Sequence, residues 1–105
     1  MIRYPKYIVK VTPVGGTVAW NSPHLSGDLV SIHVKPTTPG NKFRIQITDS
    51  EGVLIYKTNQ LYRGELTQSY DGEVLDDILT FAISEAVIDE EFTVIIRLRV
   101  DIRNR

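Results

Sequence analysis

Hydrophobic and polar residues alternate along most of this chain, and side chains that alternate with period two belong to strands with one buried face. "KYIVKVT" (6–12) sets Tyr7, Val9 and Val11 against Ile8, Lys10 and Thr12, and "PVGG" breaks the run. "TVAW" follows and is read as ending at "NSPHLSGD". "LVSIHVK" places Val30, Ile32 and Val34 on one face and Ser31, His33 and Lys35 on the other. After "PTTPGN", "KFRIQIT" turns Phe43, Ile45 and Ile47 inward and Lys42, Arg44, Gln46 and Thr48 outward. "DSEG" has the Asp-first, Gly-last chemistry of a type I hairpin turn, across which "VLIYK" pairs back. A weaker extended stretch, "GELTQSY", leads through the break "DGE" to "ILTFAIS", where Leu79, Phe81 and Ile83 share a face. The closing "EEFTVIIRLRVDIRNR" puts Val94, Ile96, Leu98, Val100 and Ile102 inward and Thr93, Arg97, Arg99, Asp101 and Arg103 outward.

About eight strands result, and only "SEAVIDEE" has any helical character, over a length too short for more than a turn. Strands at short, even spacing with no helices between them predict an all-β fold. The expected form is an antiparallel β-sandwich, jelly-roll or immunoglobulin-like. A length of 105 residues accommodates one domain, residues 1–105, burying about 60–70% of its unfolded surface.

Composition narrows the chemistry. With no cysteine, disulfides, thiolate zinc sites and thiol catalysis are excluded, so stability must come from packing or assembly. "MIRYPKYIVK" contains no apolar run of signal-peptide length, and the expectation is a protein made in the cytoplasm and not exported by that route. No Gly-rich phosphate loop, GxSxG elbow or Ser/His/Asp constellation is present, so the expectation is not an enzyme, with no catalytic residues and no cofactor.

Three groups of residues remain as candidates for binding. His24 and His33 read as surface histidines, with no metal site expected. Asp71, Glu73, Asp76 and Asp77 read as a solvated acidic loop, with a calcium site as the alternative. Trp20 reads as a plug at the end of a strand, with a stacking platform for sugar rings as the alternative, supported by Tyr4, Tyr56, Tyr62 and Tyr70.

Charge layout is more informative than the net charge of −1. Residues 1–44 carry six bases against Asp28, residues 45–63 balance, residues 64–96 carry nine acids and no base, and residues 97–105 carry four arginines against Asp101. Nine acids beside an arginine stripe disfavour a polyanionic partner, so nucleic acid is not expected, and no segment approaches the length of a membrane span, so no membrane is expected either. Arginine pairs two carboxylate oxygens at once and tolerates partial burial, which suits a protein partner or further copies of the same chain.

"VSIHVKPTTPGNKFRIQITDSEGVLIY", with "GEL" after it and "LTFAISEAVIDEEFTVIIRLRV" later, resembles small virion structural proteins of tailed bacteriophages. The shared pattern is a strand ending in "VKPTT", a strand ending in "ITDxxG" and a closing "IxxAxxDExFTVxIRLR", together about two thirds of the chain. The resemblance implies a β-sandwich accessory subunit located in the virion, a capsid decoration (cement) protein bound to the major capsid protein or other virion proteins in many copies. Arg97, Arg99, Arg103, Glu85, Asp89, Glu90 and Glu91 would be its contact residues. A tail or head-tail accessory protein is the neighbouring alternative. A carbohydrate- or receptor-binding module built on Trp20 is the alternative from another class.

Overall fold

A computed structural model describes residues 1–101, so Ile102 and Arg103, placed by the alternation on the last strand, lie outside the described residues. The described chain forms β1 (Ile2–Arg3), β2 (Lys6–Val11), β3 (Val18–Pro36), β4 (Lys42–Thr48), β5 (Leu54–Lys57), β6 (Tyr62–Arg63), β7 (Leu66–Ser84) and β8 (Phe92–Asp101). The fold is all-β, and every pairing is antiparallel. One ladder runs β1-β8-β3-β7-β4-β5, with β2 also on β8 and β6 on β4.

Two breaks read from the sequence are instead strand. β3 continues through "NSPHLSGD" and β7 through "DGE", each reaching 19 residues. The reason is that "NSPHLSGD" pairs with residues 74–80 of β7, from Asn21↔Thr80 to Asp28↔Val74, and Glu73 of "DGE" pairs with Leu29, while Leu25, Leu29, Leu75 and Leu79 keep one side buried. Pro23 falls where the register slips between Asn21 and His24, so its missing N–H interrupts no regular ladder bond. A second slip between Leu29 and Ser31 makes Val30 an extra residue against β8, while towards β7 the slip takes in Tyr70, Asp71 and Gly72. The bulge resets the alternation there: Leu29 enters the core, and Val30, read as inward, is only half-buried.

Each long strand serves two layers. The half of β3 from Asp28 to Pro36 pairs with β8, whereas the half of β7 from Thr80 to Ser84 pairs with β4. The ladder doubles back, sandwich fashion, so that strands distant along it meet face to face. Phe43 of β4 meets Phe92 of β8 edge-on at 5.1 Å, and Tyr7 of β2 lies 6.1 Å from Phe81 of β7. The Tyr70 hydroxyl donates across the gap to the Ile55 carbonyl at 3.4 Å; burial first, then Glu73 and Tyr56, push its pKa up to about 12. Between the layers lies a core in which Phe43, Phe81, Phe92 and the inward Val94, Ile96 and Leu98 are buried, each large side chain contributing about 1.5–3 kcal/mol.

The β4–β5 turn matches its sequence. Asp49 Oδ1 accepts from the N–H groups of Glu51 (2.9 Å) and Val53 (2.8 Å), and Gly52 takes the left-handed conformation at φ +82°. "SEAVIDEE" forms no helix; the Ala86 N–H donates to the Gly16 carbonyl at 3.1 Å and ties this segment to the "PVGG" turn.

Gly27 is required at the corner of the β3–β7 ribbon. Its φ is +139°, and a Cβ there would lie 2.9 Å from Val100 Cγ2 and 3.0 Å from the Arg99 carbonyl oxygen. Gly52→Ala, in open space, should cost only backbone strain, about 1–2 kcal/mol. Gly27→Ala should cost at least about 1 kcal/mol more, because β8 must move as well. Urea unfolding of the two variants checks this, and equal losses would remove the role assigned to the close approach.

Candidate protein-contact face

The outer side of the layer built by β2, β8, β3 and the start of β7 is a grid set by strand register. Lys6, Arg97, Ser31 and Ser69 form one row, and Ile8, Ile95, His33 and Thr67 form the next. Lys10, Thr93 and Lys35 form the third, which Glu65 closes through a 3.8 Å contact with Lys35. These residues share a face because partners across an antiparallel pair point the same way. Arg97 was legible as outward from its own strand, but its neighbours Lys6, Ile8 and Lys10 come from the other end of the chain. Only the pairing of β2 with β8 gathers them.

Lys6 stands directly across from Arg97, an arrangement that opposes two like charges and is destabilising on its own. Among the described residues neither has an acidic partner within ion-pair distance, and nor does Lys10. Arg99, at the border of the grid, reaches Asp28 on β3 at 3.6 Å, and such an exposed pair contributes at most about 1 kcal/mol. Arg103 lies outside the described residues.

The acids named from the sequence occupy the β7–β8 segment and separate into three situations. Glu85 forms an ion pair with Arg44 of β4. Glu90 is nearly buried, its carboxylate accepting the Thr38 N–H, so it holds the loop after β3 in place. Asp89 and the Glu91 side chain are exposed with no ion-pair partner among the described residues, although the Glu91 carbonyl accepts from the Thr37 backbone and hydroxyl. Glu91 immediately precedes β8, and Arg97 lies six residues further on, about 20 Å along the extended chain. The unpaired Lys6 and Arg97 therefore stand well away from the unpaired acids, whereas Lys10, opposite Thr93, lies on the same side of the face as Glu91.

The remaining candidates serve the fold. Trp20 is half-buried, lies flat on Phe81 at 4.9 Å and 6°, and donates its indole N–H to the Tyr7 hydroxyl at 3.2 Å. His24 is exposed and meets Asp76 at 2.5 Å, brought opposite by the β3–β7 ribbon. His33 is half-buried, sharing hydrogen bonds with Ser31 and Thr67 at 3.2 Å each. Asp77 accepts from the Ser50 hydroxyl (2.9 Å) and from the Ile78 N–H (2.7 Å), latching the β4–β5 turn to the ribbon. Among the described residues no three His, Asp or Glu side chains converge as a metal-ligand set.

No family model matches the chain, and no curated protein matches it.

Because Trp20 packs on Phe81, Trp20→Ala should lower stability by about 3 kcal/mol in chemical denaturation. A neutral result would return the indole to the role of a sugar platform. The Ser50 hydroxyl, then the Ile78 N–H, hold the Asp77 carboxyl below its ordinary pKa of 3.8. A depressed folded pKa contributes stability that is complete above the ordinary value and is lost as pH falls through the lower folded one. Asp77→Asn should therefore flatten the acid limb of unfolding free energy measured from about pH 5 to about pH 2; an unchanged limb would rule out the latch.

Proposed function

We propose that this chain is a non-enzymatic structural subunit of a tailed-bacteriophage particle, a decoration protein that binds the outside of the shell through the cationic face of β2, β8 and β3. The observation that carries the docking role is the adjacent Lys6 and Arg97, outward and without an acidic partner among the described residues. A fold that sets two cations side by side gives up stability unless something outside the subunit supplies the counter-charge. An acidic protein surface does so with defined geometry, and the Arg97 guanidinium pairs carboxylates bidentately. Flanking hydroxyls of Thr67, Ser69 and Thr93 add short hydrogen-bonding groups that need little ordering on binding.

The virion setting rests on the resemblance of the "VKPTT", "ITDSEG" and "DEEFTVIIRLR" segments to phage structural proteins. Of these segments, the end of β3 and the entry into β8 belong to the cationic face, and the β4–β5 turn lies at the other end of the ladder. Many copies on a shell need only modest individual affinity, because multivalent attachment supplies the stability. A tail or head-tail site would use the same surface, so heads and tails are separate arms of the test.

Lys6→Glu with Arg97→Glu should leave the thermal unfolding midpoint within a few degrees of wild type. It should weaken binding to purified heads of the phage that carries the gene by about tenfold or more. Wild-type binding should fall as salt rises. Wild-type attachment to tails alone would move the site to the tail. Undiminished binding by the double variant, or tight salt-dependent binding of the wild type to random duplex DNA instead of particles, would overturn the proposal.

A further inference from the structure

At the end of the molecule where β7 passes into β8, apolar side chains stand in water on an ordered loop. Val87 is 47% exposed and Ile88 66%, and Val14 of the adjoining turn is 78% exposed. The loop is held from several directions. Ala86 N–H donates to Gly16, Glu90 N–H donates to the Val87 carbonyl at 3.2 Å, Glu85 pairs with Arg44, and the Glu90 carboxylate anchors to Thr38. Asp89 sits in the left-handed region at φ +61°, a conformation uncommon for a non-glycine residue and kept here by those surrounding bonds. The loop thus presents an apolar knob, Val87 and Ile88, beside the unpaired carboxylates of Asp89 and Glu91.

The cationic face has the complementary layout. Ile8, 51% exposed, lies directly across from Ile95, and this apolar pair is bounded by Lys6 and Arg97 on one side and by Lys10 on the other. An apolar centre with a cationic border fits an apolar knob with an acidic border, since burying the centre removes water from around the charges that meet at the rim. Both halves occur on this one chain, the knob in the segment before β8 and the strip part-way along β8.

We propose that copies of this chain dock head to tail, the Val87–Ile88–Asp89 knob of one copy seating on the Ile8–Ile95 strip of the next. This deepens the reading of the β2-β8-β3 face as a protein-docking surface and rests on it. The two surfaces are different patches, so the contact is heterologous. Repeated, it closes a ring around a symmetry axis or extends as a string of subunits. Rings or strings of this kind would link neighbouring copies on a shell and add avidity to their attachment.

Sedimentation velocity of the full chain tests this with two variants that leave the core intact, Val87→Ser with Ile88→Ser on the knob and Lys6→Glu with Arg97→Glu on the face. Wild type should form species larger than a monomer at low salt, and salt should dissociate them. Each variant alone should associate about tenfold or more weakly. Mixed together, the two variants should form a heterodimer and nothing larger, because the face variant keeps its knob and the knob variant keeps its face. A wild-type chain that stays monomeric, or a mixture that stays monomeric, overturns head-to-tail docking. A monomeric wild type that still binds heads through Lys6 and Arg97 overturns this inference alone. Self-association that behaves as expected, with undiminished binding of the face variant to heads, supports this inference and overturns the proposed particle site.

Discussion

The pairing of β3 with β7 is the constraint on which everything else in this protein depends. Fourteen matched positions join the two strands, from Val18↔Ile83 to Val34↔Leu66. The ribbon they make is bent by two register slips, and its two ends recruit different neighbours, β8 at one and β4 at the other. Without the bend, β4 and β8 would not meet, and the Phe43–Phe92 contact at the centre of the core would not exist. Partners in the ribbon lie 32 to 65 residues apart in sequence, so the chain must close long loops before this pairing yields any stabilisation.

The same ribbon determines which surfaces are left for other molecules. By taking β8 on one side, it carries β2 along and sets Lys6 beside Arg97. Several charges elsewhere on the described surface find relief in a local partner. Asp28 meets Arg99, Glu65 meets Lys35, Glu85 meets Arg44 and Asp76 meets His24. The row of Lys6 and Arg97 has no such relief and is the place where folding stability and docking pull in different directions. A partner that supplies carboxylates there removes a repulsion as well as adding an attraction, which favours the correct partner over neutral surfaces.

A decoration role and head-to-tail contact between copies are compatible uses of these surfaces. An all-β antiparallel domain whose docking groups stand on paired strands loses little freedom on binding, because the backbone beneath them is already ordered. The knob at Val87 and Ile88 has the same property, since its loop is tied to the Gly16 turn and to Thr38.

Local patterning determined the fold class and much of the core. Alternation alone assigned Phe43, Ile45, Ile47, Leu79, Phe81, Ile83, Val94, Ile96 and Leu98 to the buried face, and all nine are buried. "DSEG" specified its turn through the side chain of Asp49 and the freedom of Gly52. What alternation cannot encode is pairing across distance. "NSPHLSGD" and "DGE" look like breaks because their residues disfavour strands in isolation, yet both lie within strand, "NSPHLSGD" because residues 74–80 of β7 pair with it and "DGE" because Glu73 continues that ladder on Leu29. The shift from Val30 to Leu29 in the core likewise follows from a bulge that only the neighbouring strands define. The docking face divides in the same way: the outward direction of Arg97 is a property of its own strand. Its neighbours Lys6 and Ile8, and the absence of a counter-charge for it among the described residues, belong to the tertiary structure, because strand register decides which distant side chains come to share a surface.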